Sequence, residues 1–246
     1  MRAAVHAEWT KLRTSPDTAW LLLGLVVSTV GVGALAITVT GDPGHPVDGA
    51  QLALMGVQLG QAVAVVLAAT AVGAEYATGM VRVTLTAMPR RAMALGAKAA
   101  ITVAAVLPPA VAAVAGSLVV SRCLAPTASR VVTEGAVIRA GAGSVLYLAL
   151  VALLAFGIAT AVRNPAAAAG VVLGLLYVLP VVILTISDEE RRRQLRRLVP
   201  TAGLAIQTTR DLDSLPIGPW AGLGVLAAWT TAAILVGGLL FLRRDA

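Results

Sequence analysis

The amino-acid sequence predicts an all-α integral membrane protein. Six transmembrane helices follow an N-terminal amphipathic surface helix, with both termini inside (N-in/C-in). Three observations carry this prediction. Of 246 residues, 58% are hydrophobic and only 13% charged, against about 45–50% and roughly 25% in soluble domains. The apolar residues gather into six runs, at 19–39, 52–73, 99–120, 143–162, 166–186 and 219–242, with Asp, Glu, Lys and Arg only at their edges. Each run is long enough to cross a hydrocarbon core of about 30 Å as a helix. The runs are continuous rather than alternating, which points to helices and not to a barrel. The same composition excludes a disordered chain.

Residues 2–14 read as an amphipathic helix. Val5, Trp9 and Leu12 share one face, and Glu8 and Lys11 lie on the other. Such a helix suits the membrane surface; Glu8 and Lys11 could also meet a cytoplasmic partner. Ser15-Pro16-Asp17 then supplies a cap, a proline for the first turn and an acid at the positive helix end. Ala34-Leu35-Ala36 imitates a signal-peptidase site, but the first apolar run exceeds the usual signal core.

The second span places Gln51, Gln58 and Gln61 along one stripe and pairs Gly56 with Gly60. Buried amides in a membrane need partners or water, and small residues four apart let helices approach. Packing within the chain, a dimer interface and a translocation path are all compatible with this stripe. Residues 75–98 are too polar to span. Met80, Val81, Leu85 and Met88 have roughly helical spacing, Arg82, Arg90 and Arg91 are cationic, and Pro89 stops the run.

Pro108-Pro109 in the third span and Pro180 in the fifth should kink their helices. Asn164-Pro165 repeats the cap-and-proline device before the fifth span, which carries a second small pair, Gly170 and Gly174. Residues 187–199 read as a helix with a Ser187–Glu190 capping box and i,i+4 pairs Asp188–Arg192 and Glu189–Arg193, ended by Pro200. The basic 191–197 cluster fits a solvated surface helix, an outer lid, or contact with anionic lipid or substrate. Pro219 opens the last span.

The single cysteine, Cys123, cannot form an internal disulfide and reads as a small apolar packing residue. The formal net charge is +7. In a membrane protein its placement matters more than its sum, so a nucleic-acid partner is not implied. Basic residues divide almost evenly between the two sides, but the first hairpin is clear. Three precede the first span, none lies between it and the second, and four follow the second before the third. This bias places the N-terminus inside. The Arg-rich, Lys-poor usage suggests a GC-rich bacterial genome.

Chemistry-bearing motifs are scarce. His6 and His45 have no partner motif, and no nucleophile elbow, zinc pattern or P-loop occurs. The chain is therefore expected not to be an enzyme, to hold no metal, to bind no cofactor of its own, and to depend on another polypeptide for any ATP-driven work.

One segment resembles a known family. Glu75, Tyr76, Gly79, Met80, Val81, Arg82, Leu85, Pro89, Arg90, Arg91 and Lys98 match in place the cytoplasmic coupling segment of actinobacterial ABC-2 type permeases, the membrane subunits of ATP-binding-cassette (ABC) transporters. Glu8-Trp9-Thr10-Lys11-Leu12-Arg13 and the closing Arg243-Arg244-Asp245-Ala246 are similar to the two ends of that family. The resemblance runs over essentially the whole chain; the basic 191–197 cluster, which the family topology places outside, departs from it. It implies a single permease domain, 1–246, multi-pass in the bacterial plasma membrane. Residues 75–91 would be the coupling segment and 187–217 an extracellular loop with short helices over the path. Two such subunits, alike or different, would pair with two cytoplasmic ATPases holding ATP and Mg. Glu75, Tyr76, Gly79, Arg82, Leu85, Pro89, Arg90 and Arg91 would couple to the ATPase. The second and fifth spans, with Gln51, Gln58, Gln61, Gly56, Gly60, Gly170 and Gly174, would line the path or the subunit interface. The expected activity is export of a hydrophobic or amphipathic compound, as in multidrug efflux. The alternative is a non-transporting membrane interaction protein or a passive channel.

Overall fold

A computed structural model describes residues 16–40, 48–77, 91–124, 133–210, 212 and 215–244. The elements are α1 (Pro16–Thr40), α2 (Gly49–Leu54), α3 (Val57–Ala77), α4 (Arg91–Leu124) and α5 (Glu134–Val162). There follow α6 (Pro165–Leu173), a π-turn (Gly174–Val178), α7 (Leu179–Leu184), α8 (Glu189–Leu198), a 3₁₀ helix (Pro200–Gln207) and α9 (Pro219–Arg244). No strand occurs among the described residues. Six segments are long and apolar enough to cross a membrane: Asp17–Thr40, Gly49–Gly73, Leu95–Leu124, Glu134–Val162, Pro165–Leu184 and Pro219–Phe241. These correspond one for one to the six apolar runs. The predicted helix over 2–14 lies outside the described residues.

Two helices overrun their apolar cores. α4 has 34 residues, about 51 Å at 1.5 Å per residue, and α5 begins nine residues before the run at 143–162. Helix-favouring Ala, Met and Leu carry α4 in from its basic start, so the helix has no reason to stop where the apolar run does. Pro108 and Pro109 sit inside α4 without ending it, and Pro108 points outward.

The second and fourth spans form the interior. Their windows are 67% and 61% buried, against 22% for the first, fifth and sixth. α5 packs against α3, α4 and α9. It centres the main core with Tyr147, Leu148, Val151, Ala152, Leu154 and Ala155. Lipid offers no hydrophobic drive for such contacts, so close packing and hydrogen bonds must supply it. Glycines permit that closeness. At Gly157 a Cβ would stand 2.7 Å from the Ala233 carbonyl carbon of α9, and one at Gly237 would strike the Gly157 carbonyl oxygen.

Both spans of the second-and-fifth pair are interrupted. The second, read from sequence as one helix, breaks at Met55–Gly56 into α2 and α3. Met55 N–H donates to Leu52 O at 3.1 Å, and Gln58 N–H to Met55 O at 3.0 Å. Asp48 caps α2, its Oδ1 accepting from Ala50 N and Gln51 N. α1 packs closely at the break: a Cβ on Gly56 would overlap the Thr29 carbonyl oxygen, and one on Gly33 the Ala53 carbonyl oxygen. In the fifth span Leu179 N–H bonds back five residues to Gly174 O. Pro180 has no N–H and crowds the turn behind it; the wide π-turn accommodates this where a kink was expected. Spans four and five meet in a tight turn. Arg163 adopts φ 61°, and Asn164 Oδ1 accepts from Ala167 N at 3.0 Å, with Pro165 opening α6 as predicted.

The segment after the fifth span departs from expectation in three ways. Asp188, not Ser187, caps α8, its Oδ1 accepting from Glu190 N at 3.1 Å and Arg191 N at 3.3 Å. The helix thus starts one residue later. The ion pairs fall at i,i+3 instead of i,i+4: Arg191–Asp188 at 3.1 Å and Arg192–Glu189 at 3.4 Å. Pro200 does end α8, with Val199 extended before it. The third departure is the largest. The 3₁₀ helix folds back between α5 and α9 and buries Pro200, Ala202, Gly203, Ile206 and Gln207. A Cβ on Gly203 would stand 2.8 Å from the Tyr147 ring, one on Gly143 would overlap the Ile206 side chain, and one on Gly222 would strike the Ala202 carbonyl oxygen. Backbone in such a position is tolerated in a membrane protein only when protein encloses it. Cys123, expected to be packed, is exposed in the last turn of α4.

Candidate functional site

The span glutamines lead to a polar cluster inside the bundle. Gln61 lies midway along the Gly49–Gly73 span, twelve residues or about 18 Å from either end. It is 1% exposed, so its amide must be satisfied within the protein. Tyr147 supplies one partner: its hydroxyl donates to Gln61 Oε1 at 2.5 Å. Tyr177, in the π-turn of the fifth span, bonds close by: its hydroxyl donates to the Gln58 backbone carbonyl, one turn before Gln61. The Tyr147–Gln61 and Tyr177–Gln58 bonds thus tie the second span to the fourth and to the fifth.

Gln58 and Tyr177 lie at irregularities of their helices, and Tyr147 beside a glycine of a neighbouring one. The break at Met55–Gly56 restarts α3 just ahead of Gln58. The π-turn carries Tyr177, and such turns recur at functional positions. Gly203 of the 3₁₀ helix leaves room for the Tyr147 ring. The cluster is uncharged. It can orient hydrogen-bonding groups, and nothing in it performs acid–base work at neutral pH. Its outer edge is accessible: Tyr177 is half-buried and the Gln58 side chain is exposed, beside exposed Met55 and Leu59. That edge is mainly apolar with one amide, a surface fit for an amphipathic molecule or another helix.

The other span residues separate. Gln51 sits on α2, half-buried, cut off by the break from the helix that holds Gln58 and Gln61. Gly56 and Gly60 are filled by Thr29 of α1, so this pair serves packing within the chain. Gly170 and Gly174 face open space, with nothing within 4 Å of a Cβ at either. Of the proposed coupling residues, Glu75 and Tyr76 fall in the last turn of α3 and Arg91 opens α4. Their side chains lie outside the described residues, as do Gly79, Arg82, Leu85, Pro89 and Arg90, and also Glu8 and Lys11.

A second polar cluster ties the 3₁₀ segment to the ends of the spans. Thr209 donates to Asp48 Oδ2, Arg139 Nη2 to Thr208 O at 2.7 Å, and Ser121 Oγ to Gly49 O at 2.9 Å. Among the described residues, Arg139 Nε and Gln207 Nε2 are buried without a hydrogen-bond partner, so this cluster still has donors to give.

Sequence reasoning missed Tyr147, Tyr177 and this second cluster. Tyrosine within an apolar run was a usable signal, since a buried phenol nearly always needs a partner. No protein-family model matches the chain, and none of the curated proteins matches it significantly.

Proposed function

We propose that the chain is the membrane-spanning permease subunit of an ATP-binding-cassette transporter in the bacterial plasma membrane. It exports a hydrophobic or amphipathic compound and is powered by a separate cytoplasmic ATPase carrying ATP and Mg. The observation that carries this reading is the 75–91 segment, where Glu75, Tyr76, Gly79, Arg82, Leu85 and Pro89-Arg90-Arg91 match the coupling pattern of ABC-2 permeases. The interrupted second and fifth spans beside the Gln61 cluster support it, because discontinuous helices are a recurring way to build sites in transporters. Two copies would enclose the path, with the apolar edge beside Gln58 facing the cargo. Closure of the ATPase dimer would push on 75–91 and rock the spans as rigid bodies.

The test is a pull-down with the tagged chain in mild detergent, followed by ATPase assays of the purified complex. A stoichiometric P-loop ATPase should co-purify, and Arg82→Glu should abolish transport-coupled ATP hydrolysis while leaving membrane insertion intact. Coupled turnover that survives Arg82→Glu removes Arg82 from the mechanism. A stable complex without an ATPase, or conductance by the chain alone after reconstitution, supports the interaction-protein or channel reading instead.

A further inference from the structure

We infer that α8 is a docking surface for the headgroups of anionic phospholipids at one face of the membrane. Of its ten residues, five are arginines, and none of the ten is buried. Its acids stand at the first turn: Asp188 caps the helix and pairs with Arg191, Glu189 pairs with Arg192, and Glu190 accepts from Gln194 Nε2 at 3.2 Å. The second half therefore carries unbalanced positive charge on Arg193, Arg196 and Arg197. At about 100° per residue, Arg192, Arg193, Arg196 and Arg197 share an arc of roughly 140°. Leu195 and Leu198 fall on the opposite side, with Arg191 between them in its ion pair with Asp188. Both leucines are exposed, Leu198 by 64%, and so are Val181, Val182 and Leu184 on α7, which leads in from the fifth span.

The arginine arc is a cationic surface long enough in reach to meet the phosphates of neighbouring lipids. The end of the helix is tied to the last span and to the chain just before it. Trp229 Nε1 of α9 donates to Leu198 O at 2.8 Å, and Arg197 Nε donates to Pro216 O at 2.5 Å. Arginine suits the task because its planar fork matches phosphate oxygens. The bilayer crossed by the flanking spans is the adjacent source of such phosphates, and lipids with net negative charge complement the surplus on α8.

The experiment uses the full-length chain in detergent micelles and counts bound lipid by native mass spectrometry. Phosphatidylglycerol and phosphatidylcholine are the probes. The wild type should prefer phosphatidylglycerol. Arg193→Gln with Arg196→Gln, two residues outside the ion pairs of the first turn, should lower phosphatidylglycerol affinity about twentyfold and leave phosphatidylcholine unchanged. Glu190→Gln removes an exposed negative charge and should raise phosphatidylglycerol affinity roughly fivefold. It keeps the inference testable should the double variant fail to fold, as judged by its elution and helical circular dichroism. Equal binding of the two lipids by the wild type, or a preference that survives the double variant, overturns the inference. So does displacement of the lipid by an equal concentration of inorganic phosphate, which would mark a site for soluble anions.

Discussion

The second and fifth spans carry the same small-residue spacing, Gly56–Gly60 and Gly170–Gly174, and the structure puts the two pairs to opposite uses. The second span is an interior helix. Its glycines are pressed against Thr29 of α1, and the helix is broken at Met55–Gly56, where the two backbones meet. The fifth span is peripheral. Its glycines look into open space, and its irregularity comes from within, from Pro180 and the π-turn before it. A spacing motif therefore states that close approach is possible and leaves open whether this chain makes it.

The largest effect that tests this contrast is Gly56→Ala. The new Cβ meets a backbone carbonyl that cannot rotate away, so the variant should lose about 3 kcal/mol. This would read as a steep fall in the midpoint of thermal unfolding in detergent, or as aggregation. A well-behaved variant would show that α1 and the second span are not locked at this point. Next in size is Tyr147→Phe, which cuts the bond to Gln61 and loosens the cluster joining the interior spans to the fifth. The expected cost is about 1 kcal/mol, and Tyr147→Phe combined with Gln61→Leu should cost less than the two single losses added together. Strict additivity would deny the contact. Smallest is Gly174→Ala, expected to change stability by no more than about 0.5 kcal/mol in either direction. If it matched Gly56→Ala, the contrast between the two spans would be gone.

The spans themselves were legible because each is an unbroken apolar run, and length against bilayer thickness is a strong constraint. Local punctuation was legible too. Asn164-Pro165, Pro200 and Pro219 each mark the element boundary they were expected to mark. The cap of α8 was misplaced by one residue because Ser187 and Asp188 are both good acceptors, and only the path of the chain decides between them. The break at Met55–Gly56 had no local sign: Leu54-Met55-Gly56-Val57 is a plausible helix, and the close neighbour there, Thr29, is far away along the chain. Gln61 was recognised as a residue needing a partner, but its partner Tyr147 is 86 residues distant, a pairing that periodicity cannot reveal. The 3₁₀ segment falls in 187–217, which the family resemblance implied to be an outer loop with short helices; its burial was not foreseen, although Ala202-Gly203-Leu204-Ala205-Ile206 is apolar enough to have suggested it.

That segment bears on the order of assembly. Ala202 meets Gly222, Gly203 touches Leu226 as well as Tyr147, and both Gly222 and Leu226 belong to α9. The berth for residues 200–207 is thus half made of a helix synthesised after them. While the ribosome is still translating the last span, the flank of Tyr147 and the small gap at Gly143 stay uncovered, and the apolar loop waits outside its slot. Maturation of the bundle consequently ends with a back-fold, in which the loop and the final helix close over the fourth span together, and a chain stopped before residue 219 would present that unfinished flank to the cell's membrane proteases.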